Sequence, residues 1–458
     1  MSTPKRSKRV EHLPIVYPNA AGLDIGASEI YACAPPDRIE EPVRVFGTFT
    51  VDLHTLADWL AACDVDTVAM ESTGVYWIPV FELLEKRGFQ VYLVNARHLK
   101  GVPGRKSDYR DCQWIQKLHS VGLLTNSFRP DGEMCALRAY LRQRADLLHH
   151  RAAHIQHMQK AFQQMNIQLS QVLSDVTGET GLAIVRAIVA GERDGVKLAQ
   201  LRDHRCKSSQ ETIAKALTGT WKDEHVFALK QALELYEFYT RQIAACDAQI
   251  QQQYAAMAPR HQPNPELSDA PAPQPRRKKS SKNSPSAGVQ AEIIRITGVD
   301  LAAVDGLGTG LAQTILSEIG TDMSKWPTEK HFTSWLGLAP RNDISGGKVL
   351  RSRILPNRNR AGQAFRQAAT SVSHTATAFG AFYRRKRAQG GPLHAQVTTA
   401  NKIARTVYHL LKYHVQYQAL GAEEFERQHR ERDVKALRKK ASKLGFTLVE
   451  SHLTPATV

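Results

Sequence analysis

Between residues 21 and 130, short apolar runs rich in β-branched residues alternate with stretches of helical period. Gly22–Cys33, Val43–Thr50, Asp66–Met70 and Gln90–Val94 read as strands; Leu53–Ala62, Tyr76–Lys86 and Asp108–Val121 read as helices. Strands followed by helices of this length predict an α/β domain around a partly parallel sheet. Pro35-Pro36-Asp37 is turn-forming, so the first two strands are expected to pair antiparallel.

From Met134 to Leu169 the period becomes a heptad. Met134, Leu137, Leu141, Arg144, Leu148, Arg151, Ile155, Met158, Phe162, Met165 and Leu169 are spaced alternately by three and four residues, the a/d rule of a coiled coil, and only Arg144 and Arg151 break the seam. A second series runs from Val226 through Leu229, Leu233, Tyr236, Thr240, Ile243, Asp247, Ile250 and Tyr254 to Met257. Two such helices predict an antiparallel hairpin or a dimerisation arm over residues 131–258.

Residues 259–289 are rich in Pro, Ser and basic side chains without apolar period, which predicts a disordered linker. After it, Gly306, Gly308 and Gly310 separate the helix-like stretches Ala291–Ile296 and Leu311–Ile319. A turn with glycine at alternate positions lets backbone N–H groups approach a phosphate, as in a helix-hairpin-helix-like element. Helices are expected over Ala361–Ala376, Phe379–Arg387 and Ala395–His414, within a mainly helical region 290–425. Residues 1–20 and 426–458 read as basic tails.

Composition narrows the partner. The 458 residues carry 61 Lys plus Arg against 44 Asp plus Glu, a formal net charge of +17, which points to a polyanion and first to nucleic acid. The six cysteines are scattered without a C-x-x-C pair, so neither a disulfide framework nor a zinc ribbon is expected, and a reducing cytoplasm fits. No apolar run reaches the roughly 18 residues that a membrane span needs, and the basic N-terminus has no apolar segment after it, so no membrane association is expected.

Against that basic background, four acids attract attention: Asp24, Glu71, Asp108 and Asp111. The first two lie in or at the end of apolar strands, and the last two stand at i, i+3 on one helix face, so the set can converge. Singly, Asp24 reads as a turn residue, Glu71 as a helix cap and Asp108 as a helix-dipole partner. Jointly, carboxylates without His or Cys suit Mg²⁺, with Mn²⁺ also possible, and phosphodiester cleavage uses such ions to stabilise attacking and leaving oxygens. Arg105 and Lys106, suited to phosphates, immediately precede the paired aspartates.

At these residues the chain resembles the DEDD transposases of the insertion sequence 110 family. The resemblance is carried by Gly22-Leu23-Asp24-Ile25-Gly26, by Met70-Glu71-Ser72-Thr73-Gly74-Val75-Tyr76, and by Val94-Asn95-Ala96-Arg97 leading to Arg105-Lys106-Ser107-Asp108 and Asp111. Phe332-Thr333-Ser334-Trp335-Leu336-Gly337-Leu338-Ala339-Pro340-Arg341, followed by Ile344-Ser345-Gly346-Gly347-Lys348, matches in the C-terminal region. The resemblance implies a RuvC-like, RNase H-like domain over residues 21–130, with the four acids as metal ligands. It also implies a C-terminal domain whose Ser345 attacks DNA. It further implies double-stranded DNA as substrate, a structured bridge RNA that chooses the target, dimers pairing into tetramers, and a bacterial cytoplasmic, nucleoid-associated setting.

Read without the family, Ser345 is first a turn residue. Its support is the surrounding charge: Arg341, Lys348, Arg351 and Arg353, then Arg358 and Arg360, can grip a scissile phosphate and its neighbours. Arg384, Arg385, Lys386 and Arg387 form a further basic cluster. Ser334, the competing serine, sits in an expected helix where packing is its natural role. Two other functions remain at this level: a Holliday-junction-type nuclease that activates water without a serine, and a nucleic-acid-binding scaffold without chemistry.

Overall fold

The computed structural model describes residues 13–71, 74–95, 107–261, 282–354 and 359–449. The chain divides into two compact units, Met1–Arg129 and Pro130–Val458.

The first unit contains β1 (Ala20–Ile25), β2 (Glu29–Cys33), β3 (Val43–Gly47), α1 (Thr50–Ala62), β4 (Thr67–Glu71), α2 (Trp77–Lys86), β5 (Gln90–Val94) and α3 (Asp108–Ser120). The sheet runs β3-β2-β1-β4-β5; β1, β4 and β5 are parallel, whereas β2 is antiparallel to both β1 and β3. This mixed α/β order is consistent with the RuvC-like expectation. The expected single strand Gly22–Cys33 is instead a tight hairpin, closed by Gly26 N–H donating to the Glu29 carbonyl at 2.9 Å.

Strand alternation sorts side chains to the two faces. Ala21, Leu23, Ile25, Val68, Met70, Val91 and Leu93 pack with α1 and α2 residues such as Leu56, Leu60 and Leu84. Ala69 and Val94 point the other way, toward Ile115 of α3. Gly22 lies on that second face, where its lack of a side chain allows close approach: a Cβ there would meet Gln116 N at 2.3 Å and Cys112 O at 2.4 Å. The helix therefore rests directly on β1, and Gln116 Nε2 donates to the Ala20 carbonyl at 3.1 Å. At its far end, fully buried His119 meets Thr67 at 2.8 Å and stacks on Tyr17. Val16 and Tyr17 amides donate to the Ser120 carbonyl, so the end of the expected basic tail is docked on α3.

The second unit opens with α4 (Gly132–Gln164), followed by the short helices α5 (Leu169–Val172), α6 (Glu179–Val189), α7 (Gly195–Ala199) and α8 (Gln210–Ala216), and then α9 (Asp223–Ala256). The long helices α4 and α9 lie antiparallel within one chain: Arg144 meets Asp247, Arg151 meets Thr240, and Gln253 Nε2 donates to the Glu133 carbonyl. Each polar residue that interrupts one apolar seam thus finds the polar interruption of the other. Arg144 Nε and Nη2 reach the two Asp247 oxygens at 2.6 and 3.2 Å. The seam between the two helices is filled within the chain. On the flank of α4, His150 and His154 stack on Tyr239 at 5.7 and 5.4 Å.

Part of the expected linker is also ordered. Arg144 donates to the Asn283 and Ser284 carbonyls at 3.3 and 3.1 Å, and Arg151 Nη2 donates to Asn283 Oδ1 at 2.7 Å. Composition marks this stretch as polar but is silent on the buried guanidiniums that need acceptors. Residues 262–281 lie outside the described residues.

Then come α10 (Val289–Thr297), α11 (Thr309–Ile319), α12 (Glu329–Trp335), β6 (Arg341–Ser345), β7 (Lys348–Arg353), α13 (Arg360–Ser371), α14 (Ala378–Tyr413) and α15 (Ala422–Lys443). Helix α14 breaks at Gly391, φ +81°, just before Pro392. Phe332 packs against Trp326, Phe365 and Tyr408 in this region's core. The expected C-terminal tail is largely helical, as α15.

Candidate functional site

Two strands and one helix terminus build the acidic site. Asp24 follows Gly22 on the α3 side of β1, and Glu71 shares that face on β4, because Leu23 pairs with Met70 one position earlier on each strand. Helix α3 begins at Asp108, and the contact made possible by Gly22 holds its first turn, with Asp108 and Asp111, over the end of β1. Carboxylate oxygens of Asp24, Asp108 and Asp111 lie within 4.8 Å of one another. Glu71 is outside that tight trio but contributes its field. The Asp24 pKa is pushed up to about 6, first by burial and then by the charges of Asp108, Asp111 and Glu71. An all-oxygen set of mutually repelling carboxylates fits a hard divalent cation, which would relieve that repulsion.

Tyr31, not singled out in the sequence, pairs directly across from Asp24 on β2. Its phenol pKa is raised, chiefly by Glu29, whose carboxylate accepts its hydrogen bond at 3.2 Å, and further by Asp108 and Asp24. The signal was present: dividing Gly22–Cys33 at Gly26-Ala27-Ser28 would have placed Tyr31 opposite Asp24. Arg110, Gln113, Trp114 and Lys117 line a shallow depression along α3. Arg105 and Lys106 lie outside the described residues.

Ser345 ends β6 and faces Lys348 across a two-residue turn, Gly346 and Gly347, at φ +55° and +75°. Both turn positions need the left-handed region, which glycine adopts without strain. Ser345 thus flanks the turn, and the turn closes a fully exposed β-ribbon. Its register puts Arg341 against Arg353 and Asp343 against Arg351, and after a shift between Asp343 and Ile344 it puts Ser345 against Lys348. In the Arg341–Arg353 pair like charges stand opposite each other, which is unfavourable in the free protein and favours an anionic partner, whereas Asp343 offsets Arg351. Ser334 is exposed on α12, with its neighbours Phe332 and Thr333 buried, so packing is not its role.

The other basic expectations divide. Arg360 starts α13 and is exposed, whereas Arg358 lies outside the described residues. Arg384 donates to the Thr375 carbonyl at 2.9 Å, Arg385 pairs with Glu426, and Lys386 reaches Gln389 Oε1 at 2.9 Å. Three of the four cluster cations are therefore engaged internally, and Arg387 alone of the four has no partner among the described residues. Of the three turn glycines, Gly306 has a packing reason of its own: a Cβ would meet Ala368 O and Val372 Cγ1, each at 2.6 Å. Gly308 precedes α11 with open space around it, and Gly310 lies near Pro285.

Two models of known families match the chain. Residues 21–167 match the DEDD transposase model of the IS110 type, and residues 300–384 match the transposase model of the IS116/IS110/IS902 family. Together the two span just over half of the chain. The chain belongs to the IS110 family of DEDD transposases. The first match contains all four acids and the second contains Ser345. This transposase is a DNA-binding enzyme of insertion-sequence transposition and DNA recombination. A comparison with curated proteins finds no match. Among its described residues no helix is long and apolar enough to cross a membrane.

Proposed function

We propose that this transposase cuts and rejoins double-stranded DNA with the carboxylates of Asp24, Glu71, Asp108 and Asp111 as ligands for Mg²⁺, or Mn²⁺, and Ser345 as nucleophile. In this reading residues 21–130 carry the metal site and residues 290–425 the serine. The convergence of Asp24, Asp108 and Asp111 carries the metal half, since nothing in packing requires three carboxylates within 4.8 Å. A bound divalent cation supplies charge neutralisation at the phosphate and lowers the pKa of a coordinated oxygen.

The chain's own groups do the rest. Ser345 Oγ forms a bond to phosphorus, one strand ester bond breaks, and the serine proton ends on the departing oxygen, which leaves as a hydroxyl end. DNA is thereby held on the protein for exchange. Lys348, Arg341, Arg351 and Arg353 lie on the same two-stranded ribbon as the serine and hold the phosphate and its neighbours. Arg360, Arg387 and the Gly308–Gly310 turn would add backbone contacts. By family resemblance, a structured guide RNA selects the sites and a homodimer or tetramer performs the exchange.

Strand cleavage of supercoiled target with guide RNA and Mg²⁺ tests this. Ser345→Ala and Asp108→Ala should each abolish cleavage while RNA binding persists. Wild-type cleavage by Ser345→Ala would favour a water-activating nuclease. Intact activity in Asp24→Ala and Asp108→Ala would favour a scaffold without chemistry.

A further inference from the structure

Helix α15 buries only Phe425 and then runs on, exposed, to Lys443. Between residues 430 and 443 seven cations accompany two acids, and both acids are already engaged: Asp433 by His429 at 2.8 Å and Glu431 by Arg427 at 3.4 Å. Arg432, Lys435, Lys439 and Lys443 are separated by three, four and four residues, so they form one stripe down the helix. None has an ion pair among the described residues. At 1.5 Å per residue the stripe is about 16 Å long, the rise of about five base pairs.

The root of this stripe is a crowded positive cluster. Lys402 of α14 sits between the rings of Phe382 and Phe425, 4.6 and 4.5 Å from their centres, and has no acid partner among the described residues. Its pKa is lowered first by burial and then by the charges of Arg432, Arg385 and Arg405. Arg385 and Arg405 each have one acid, Glu426 and Glu329, but Lys402 and Arg432 have none, so the free protein bears an uncompensated repulsion there. Convergent cations with an aromatic floor are what a phosphate backbone would neutralise.

Val434, Leu437, Ala441 and Leu444 lie on the opposite side of α15 from the stripe. A helix lying on a membrane by those residues would aim the stripe away from the headgroups, so a bilayer fits poorly.

We propose that α15 is a nucleic-acid backbone track, in which Arg432, Lys435, Lys439 and Lys443 follow consecutive phosphates from an anchor at Lys402. The inference rests on the chain's handling of nucleic acid and is independent of Ser345. DNA duplex and RNA stem share the recognised chemistry, and the test separates them.

Full-length wild type and an Arg432→Gln, Lys435→Gln, Lys439→Gln, Lys443→Gln variant are titrated with a labelled 30-bp DNA duplex and with an RNA stem-loop of equal length. Each titration is repeated across a range of NaCl concentrations. The slope of log affinity against log salt should become shallower by about 3 to 4 in the variant, about 0.9 per lost phosphate contact. A change with DNA alone assigns the track to DNA, and with RNA alone to RNA. Equal slopes for both proteins on both probes overturn the proposal. Should the variant fold poorly, acetylation of the wild type decides: nucleic acid should protect Lys435 and Lys439, and unchanged labelling refutes the track. Ser345→Ala should keep the wild-type slope, so a failed nucleophile assignment and a failed track give different results.

Discussion

Asp24→Asn should make the metal-free protein more stable while disabling it. The carboxyl is raised from 3.8 to about 6, a shift of roughly 2 units, worth about 3 kcal/mol at ~1.36 kcal/mol per unit if the group were fully enclosed. The side chain is only partly buried, so solvent screening reduces this to about 1–2 kcal/mol. The sign follows from proton linkage: the native state holds the Asp24 proton more tightly than the unfolded state, so unfolding free energy falls as pH rises from about 4 to 6. Above pH 6 the full cost is present, and asparagine removes it. Hydrogen exchange of peptides covering β1 and β2, in EDTA, measures the gain locally, without assuming that the whole chain unfolds in one step. Asp24→Asn should raise protection by the full amount at pH 8 and by about half of it at pH 5. Adding Mg²⁺ should protect wild type and leave the variant unchanged. Equal or lower protection of the variant at pH 8 would refute the repulsion argument.

Gly22→Ala should push α3 outward, because a Cβ 2.3–2.4 Å from its backbone cannot be accommodated; the expected cost is about 1–3 kcal/mol, with weakened Mn²⁺ binding by titration calorimetry. Arg144→Leu should destabilise the second unit by about 3–5 kcal/mol by stranding Asp247, whereas Arg144→Leu with Asp247→Leu should recover most of it, as read by urea denaturation. Burial depresses the His119 pKa to about 4, so its contribution runs opposite to that of Asp24: stability should fall as pH drops from 6.5 toward 4, and His119→Phe should flatten that fall in a thermal melt series.

The strands legible in the sequence are those whose alternation meets a core. Val68, Met70, Val91 and Leu93 mark β4 and β5 directly. The β1–β2 hairpin reads as a single strand only if the slip of alternation at Gly26-Ala27-Ser28, from Leu23 and Ile25 to Ile30 and Ala32, is passed over; that slip marks the turn. The acids were legible as a set, since Asp24 and Glu71 interrupt apolar runs and Asp108 and Asp111 share a helix face; Tyr31 depended on that missed register. Arg144, Arg151, Thr240 and Asp247 were visible as breaks in two seams, but their mutual pairing is a tertiary fact. The β6–β7 ribbon has no buried face, so no hydrophobic pattern announced its strands, and only Gly346-Gly347 signalled the turn.

The most direct test of the account is the chemistry at Ser345. Reaction of wild type with supercoiled target DNA, guide RNA and Mg²⁺, followed by denaturing gel and nuclease and protease digestion, should yield a peptide spanning Arg341–Lys348 with a nucleotide phosphate linked to Ser345. That adduct should vanish with EDTA and in Asp24→Asn. Full strand cleavage with no covalent peptide, or the same adduct on another residue in Ser345→Ala, would contradict it.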